Sequence, residues 1–251
     1  MFTDQKCQPS YRPNLEYSVA GSDAPTAPAL KGPVLRLDWI DASEHPETAQ
    51  YCYEQKAACY SRFGAGAACV PLGERVQRGQ LYLITATDRD SGEISGGVSV
   101  YVRDGGRPLP VEKAIGHISR FQSEVLRWKG KKVVEFSALW CEAPWRKTGL
   151  SERLMLTALS AAQAMGASKV MGFSHQHVLA FHGTVGLIPD YDLGQYAYPS
   201  ADYASTVVWG DPVDLVTLPA AKRPIVKSHS RALSLGQPVF WRGFAHCMAN
   251  C

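Results

Sequence analysis

Between Glu135 and His182 the chain gathers the residue types that proton transfer and anion binding require. Glu135 stands in a mostly apolar run, Val133 to Trp140, where an unpaired carboxylate is costly to bury. It is therefore either a general base or one half of a structural salt bridge to a neighbouring Arg or Lys. His175 and His177 close a second, shorter run, and His182 follows them. Imidazole titrates near neutrality, so each of the three can move a proton, and each can equally serve as a hydrogen-bonding structural residue. No acidic or cysteine partner is adjacent and the spacing matches no helical ligand pair, so no metal is expected. Cys141 has no clear base partner and reads as a core thiol rather than a nucleophile.

Just past the first run comes Arg146-Lys147-Thr148-Gly149-Leu150-Ser151. A strand that hands over to a helix through a glycine-containing loop leaves backbone N–H groups pointing outward at the helix N-terminus. With the helix dipole they form an anion site. Arg146 and Lys147 add two cations at the same mouth, and Gly149 lets a ligand approach the backbone closely. A phosphate or pyrophosphate is the natural guest; a solvated basic turn is the plainer alternative. Neither the G-x-x-x-x-G-K-[ST] loop nor the G-x-G-x-x-G fingerprint is present.

The elements that must hold these residues are legible around them. Val133 to Trp140 reads as a strand, with Glu135, Ser137 and Leu139 on one face and Val134, Phe136, Ala138 and Trp140 on the other. Leu154, Leu156, Ala158, Leu159, Ala162 and Met165 give a broad apolar face to a helix from about Ser151 to Met165, closed by Gly166. A strand over Lys169 to Phe173 and a helix-like segment ending near Gly186 come next. Upstream, Val34 to Trp39 alternates as a first strand, and Pro46 opens a helix to about Phe63 that carries Tyr53, Lys56, Tyr60 and Arg62. Gly64 to Ala68 reads as a flexible loop able to act as a lid. Leu81 to Thr87 and Gly97 to Arg103 read as antiparallel strands joined at Asp88–Gly92. Gly105 to Glu112 looks irregular and Ile118 to Trp128 helical. Downstream, Tyr191, Tyr196, Tyr198 and Tyr203 cluster around Pro199-Ser200, and Thr206 to Trp209 reads as the last strand, closing the sheet.

With 251 residues, 45% of them hydrophobic, the chain can bury one sizeable core. A net charge of +3 with interspersed signs argues against nucleic acid or an anionic membrane as partner. No apolar run approaches a membrane span and no leader pattern is visible, so a cytoplasmic protein is expected. Seven cysteines, without a CxxC pair, suggest neither a disulfide framework nor a zinc knuckle. Cys247 and Cys251 read as free thiols, and Cys52 and Cys59 as one core-facing helix edge. Residues 1–32 read as an extension, partly disordered, and residues 211–251 as a C-terminal extension packed on a domain spanning 33–210.

Arg146-Lys147-Thr148-Gly149-Leu150-Ser151 resembles the R/Q-x-x-G-x-G/A motif of the GNAT acyltransferases. Ala180-Phe181-His182-Gly183-Thr184-Val185-Gly186-Leu187 resembles that family's A-x-x-F-Y-x-x-x-G-F segment at the right distance. Clear resemblance covers about 60 residues, with weaker similarity from about Val34 to Trp209. Ser151 departs mildly from the second small residue of the motif, and His182 falls where the family often has a tyrosine general acid. The resemblance implies an α/β (α+β) fold, a mixed, mostly antiparallel sheet flanked by helices with splayed central strands. It implies an N-acyltransferase, foremost an acetyltransferase, moving an acyl group from acetyl-CoA or another acyl-CoA to a small-molecule primary amine by direct attack. Backbone groups of Ala138, Leu139 and Trp140 would pair with the pantetheine arm, and the amides of Arg146, Lys147, Thr148, Gly149, Leu150 and Ser151 would hold the pyrophosphate. Glu135, His175, His177 and His182 are the proton-transfer candidates, and a homodimer is compatible with the family. Gly97 to Glu112, with an arginine-bearing strand and Leu109-Pro110-Val111-Glu112, resembles N-acyl amino acid and acyl-homoserine lactone synthases. That second resemblance implies a long-chain acyl-CoA or acyl carrier protein as donor. An acyl-CoA-binding module without turnover is the reading from a different class.

Overall fold

The computed structural model describes residues 33–62, 64, 66, 78–103, 107–198 and 203–242. The expectations for residues 1–32, for most of the Gly64–Ala68 loop, for Pro199-Ser200 and for Cys247 and Cys251 lie outside the described residues. Strand β1 (Val34–Asp41) precedes helix α1 (Pro46–Ser61), and β2 (Leu81–Asp88) and β3 (Ile94–Val102) form the hairpin. Then come α2 (Pro110–Ile115), α3 (Ser119–Leu126), β4 (Val133–Cys141), α4 (Leu150–Ala164), β5 (Lys169–His175) and α5 (Leu179–Thr184). Strands β6 (Ile188–Pro189), β7 (Gln195–Ala197) and β8 (Ala204–Gly210), helix α6 (Arg223–Ser234) and β9 (Val239–Arg242) complete the described chain.

All nine strands belong to one sheet, ordered β6-β8-β5-β4-β3-β2-β1-β9, with β7 also paired to β8. Every pairing is antiparallel except β4 with β5. Parallel neighbours need a crossover, and α4 supplies it. The helix is buried along most of its length because it lies between the sheet and α6; Leu150, Leu154, Leu156 and Leu159 share one core with Val134, Phe136 and α6 residues Val226 and Leu233. It ends in a Schellman motif: the Ala167 amide bonds to the Ala162 carbonyl, the Gly166 amide to that of Gln163, and Gly166 takes φ +72. On the opposite face α2 and α3 pack through Val111, Ile115 and Phe121 over Val133, Met171 and Val207, while α1 packs beside them over Leu81, Leu83 and Trp140.

Two expectations change. Thr206–Trp209 is an inner strand: it lies in β8, between β5 and the short β6, and β9 follows it to extend the far edge at β1. Alternation along β4 is also broken. Gly97 pairs with Trp140 but Ser99 pairs with Ser137, so β4 carries one more residue than β3 there, and Ala138 takes the left-handed φ of +59. This is a β-bulge, and it reverses the phase of the strand. Leu139 and Cys141 join Val134 and Phe136 on the α4 side, and Trp140 turns toward α1. A period-2 count has no means of seeing an inserted residue.

Candidate active site

The β4–β5 pairing runs from Val133–Lys169 to Phe136–Gly172 and stops there, although both strands continue. Beyond that point the strands separate, and a cavity of about 480 Å³ occupies the gap. Its walls include Val111 and Ala114 of α2 on one side of the sheet and Met155 of α4 on the other, so it passes through the sheet. Most of the lining is apolar, with Lys56, Glu135, His175, His177 and His182 as the exceptions that can carry charge.

Strand alternation decides which side each group serves. Glu135 shares the α2 face with Val133 and is 3% exposed; its Oε2 accepts the Val111 amide at 2.9 Å. His175 stands on the same face, and its Nδ1 lies 2.7 Å from Ser205 Oγ on β8. The Ser205 hydroxyl also donates to the Tyr198 carbonyl at 2.7 Å. His177 stacks on His175 at 5.7 Å and is exposed at the cavity mouth. His182, on α5, reaches the cavity from the α4 side, with Nδ1 2.7 Å from the buried Ser174 hydroxyl. Burial, helped by nearby His175, pushes His182 down to about 4, so its ring is neutral at physiological pH. Burial and then His177 also hold His175 below the ordinary histidine value.

The Leu109-Pro110-Val111-Glu112 stretch, which looked irregular, starts α2 and sets the Glu135 contact. Pro110 occupies the first turn, where its missing N–H costs nothing. Glu112 Oε1 accepts the Leu109 amide at 2.9 Å and Arg103 Nε at 2.9 Å, tying α2 to the end of β3. That brace brings the Val111 amide over Glu135.

Glycine and strain shape the other end of the site. After β4 a short turn over Ala143–Trp145 leads to Lys147 at φ +63 and Gly149 at φ +92, and α4 begins at Leu150. No side chain caps this helix, so its first amides face outward. Arg146 Nε donates to the Cys141 carbonyl at 3.3 Å, and the Thr148 hydroxyl donates to the Trp145 carbonyl at 2.7 Å. Glu152 in the first turn would oppose an anion, but Lys222 Nζ pairs with its Oε2 at 2.8 Å. Ala138 and Leu139 line the cavity; the Trp140 side chain packs against Tyr51, ring centroids 6.4 Å apart, and does not close it. Cys141 bonds to Ser151 at 3.3 Å, and burial pushes its thiol up to about 11, consistent with a core role. Among the described residues no cluster of three or more His, Cys, Asp or Glu side chains could hold a metal ion.

No protein-family model and no curated protein matches the chain. Solved structures do. The structure of FeeM, an N-acyl amino acid synthase from uncultured soil microbes, superposes with a TM-score of 0.55 at 13% identity, covering 82% of this chain and 99% of that one. BjaI, a CoA-dependent acyl-homoserine lactone synthase, gives 0.50 at 12% identity, over 78% of this chain and 90% of that one. The chain has the GNAT fold. Within that fold the parted β4 and β5 and the uncapped α4 N-terminus stand on opposite sides of one turn, which is how the sequence motif and the cavity come together. Ser174 and Ser205 were not among the candidates read from the sequence, whereas Lys56 stood on the first helix, whose residues the GNAT resemblance expects to border the acceptor pocket. The serines had a signal only in cross-strand register, where His175 faces Ser205, and Lys56 shows its 7% exposure only once α1 is docked.

Proposed function

We propose that the protein transfers an acyl group from an acyl-CoA thioester to a primary amine. The observation that carries this reading is the through-sheet cavity opening where β4 and β5 part, one turn away from the uncapped start of α4. A phosphate group suits the α4 N-terminus with Arg146 and Lys147 beside it. The thioester then reaches the gap along β4, where backbone groups at Ser137–Leu139 have no β5 partner. The amine comes from the α2 side, where Glu135 and His175 stand as proton acceptors. Its nitrogen attacks the thioester carbonyl carbon, the C–N bond forms, the C–S bond breaks, and the amine proton passes to one of these groups. His182, neutral and on the α4 side, suits a hydrogen bond donated to the departing sulfur.

The cavity favours an acyl chain longer than acetyl. A volume of about 480 Å³ equals roughly sixteen water-sized groups at about 30 Å³ each, which, shared between the amine and the thioester end, still leaves room for a chain longer than acetyl. Thiol release from acyl-CoA substrates of two to fourteen carbons, each with a pool of primary amines, tests the proposal. Amine-dependent release that rises with chain length supports it. Release from acetyl-CoA alone would refute the chain-length assignment. Binding of acyl-CoA without release in any amine would favour a module that does not turn over.

A further inference from the structure

We propose that Ser205 is a positioning residue that fixes His175 as the proton acceptor for the amine; this rests on the acyl-transfer reading above. A serine hydroxyl has one proton, and a backbone carbonyl can only accept. Ser205 Oγ lies 2.7 Å from the Tyr198 carbonyl oxygen, so its proton is committed there. The same oxygen lies 2.7 Å from His175 Nδ1, a contact that is favourable only when Nδ1 carries a hydrogen and donates it to the serine lone pair. The neutral ring is thereby held as the Nδ1–H tautomer, and Nε2 keeps the lone pair a base requires.

Cross-strand register makes this arrangement rigid. His175 and Ser205 are directly opposed on antiparallel β5 and β8. Ser205 is fully buried, and Tyr203 packs on the other side of the imidazole with centroids 4.8 Å apart. The ring lines the cavity on the face that also holds Glu135. The titratable and charged groups around it are His177 and Tyr203 on its flanks, with Glu135 and Lys56 lining the same cavity and His182 entering it from the α4 side. Glu135 already accepts the Val111 amide on Oε2, so that carboxylate oxygen is engaged. His182 is placed differently. Its serine partner, Ser174, lies 2.7 Å from its Nδ1 but 3.3 Å from the nearest carbonyl, that of His175. There the hydroxyl proton is free to go to Nδ1, leaving a hydrogen on Nε2. One serine–histidine pair presents a lone pair to the amine side, and the other a donor to the sulfur side. In the reacting complex Nε2 of His175 takes the proton that the amine nitrogen loses as its bond to the acyl carbon forms.

The test reads the tautomer before it reads activity. Long-range ¹⁵N–¹H spectra of the full chain, labelled at histidine, are recorded at neutral pH for the wild type, His175→Gln (to assign the signal) and Ser205→Ala. The expected result is an Nδ1–H ring for His175 in the wild type and its loss in Ser205→Ala. An Nε2–H ring in the wild type overturns the proposal, and so does a ring that Ser205→Ala leaves unchanged. Because no substrate is present, this outcome stands apart from the fate of the acyl-transfer reading, and the wild-type spectrum decides even if Ser205→Ala does not fold. In the thiol-release assay Ser205→Ala is expected to lower kcat by roughly tenfold or more, part of the about 10²–10⁴ that positioned proton transfer contributes. The KM for the thioester should not move, and Ser205→Thr, which keeps the hydroxyl, should recover much of the loss. A raised thioester KM with unchanged kcat would contradict the positioning role.

Discussion

Replacing His182 with glutamine removes one proton-binding site whose affinity the fold has changed. An unfolded histidine titrates near 6.5, whereas in the folded protein burial, with a smaller contribution from His175, holds His182 at about 4. Between those values the unfolded chain binds a proton that the folded chain does not, so falling pH favours unfolding. The stability this site contributes is fully present above about 6.5 and is lost as the pH falls toward 4. The difference between about 6.5 and about 4 corresponds to roughly 3 kcal/mol, as an upper figure because the ring is only partly buried. Glutamine cannot titrate, yet its amide can still reach Ser174. Urea unfolding at pH 7.5, 6.5, 5.5 and 4.5 measures the effect. Wild type should lose about 2–3 kcal/mol more than His182→Gln across that window. His175 and His229 are also held low by burial, but they titrate in both proteins and cancel in the difference. Parallel pH curves for the two proteins would refute the reasoning, because they would mean that His182 keeps its ordinary proton affinity when folded.

The turn before α4 predicts that Gly149→Trp abolishes CoA binding: the residue sits at φ +92 with Trp241 beside it, and an indole there covers the outward amides. Unchanged affinity by calorimetry would remove the phosphate assignment. At the bulge, Ala138→Gly should leave the urea midpoint nearly unchanged, since relief of left-handed strain of about 1–2 kcal/mol is offset by an entropic cost of roughly 0.4–1 kcal/mol together with loss of a buried methyl worth about 0.8 kcal/mol. Ala138→Val, β-branched at φ +59, should destabilise clearly and lower turnover. Glu112→Ala breaks the brace between Arg103 and the Leu109 amide, and should cost about 2 kcal/mol in the same unfolding assay while raising the KM for the amine. Ala114→Trp should fill part of the cavity on the α2 side and raise the KM for bulky amines more than for small ones, read from the thiol-release assay.

The order of elements was readable because each carried its own local signal. Leu154, Leu156, Ala158, Leu159 and Ala162 mark α4 by spacing, Gly166 marks its end by φ, and Glu135 stands out as a carboxylate in a mostly apolar run. What the sequence hid lies in relations between elements. Ala138 is an ordinary residue until β3 pairs beside it and leaves one residue of β4 over, and that surplus decides which way Leu139 and Trp140 face. Ser205 gains meaning only opposite His175, and Glu112 only when Arg103 reaches it from the end of β3. β9 is four residues long, VFWR, and becomes a strand because the β1 edge is open to it. Short segments whose structure is supplied by a partner leave almost no periodic trace.

Native mass spectrometry of the full chain, titrated with acetyl-CoA and with a fourteen-carbon acyl-CoA, tests the central claim most directly. One molecule should bind per chain, tighter for the long chain, with both complexes lost in Gly149→Trp. No binding of either thioester, or binding that Gly149→Trp leaves intact, would contradict it.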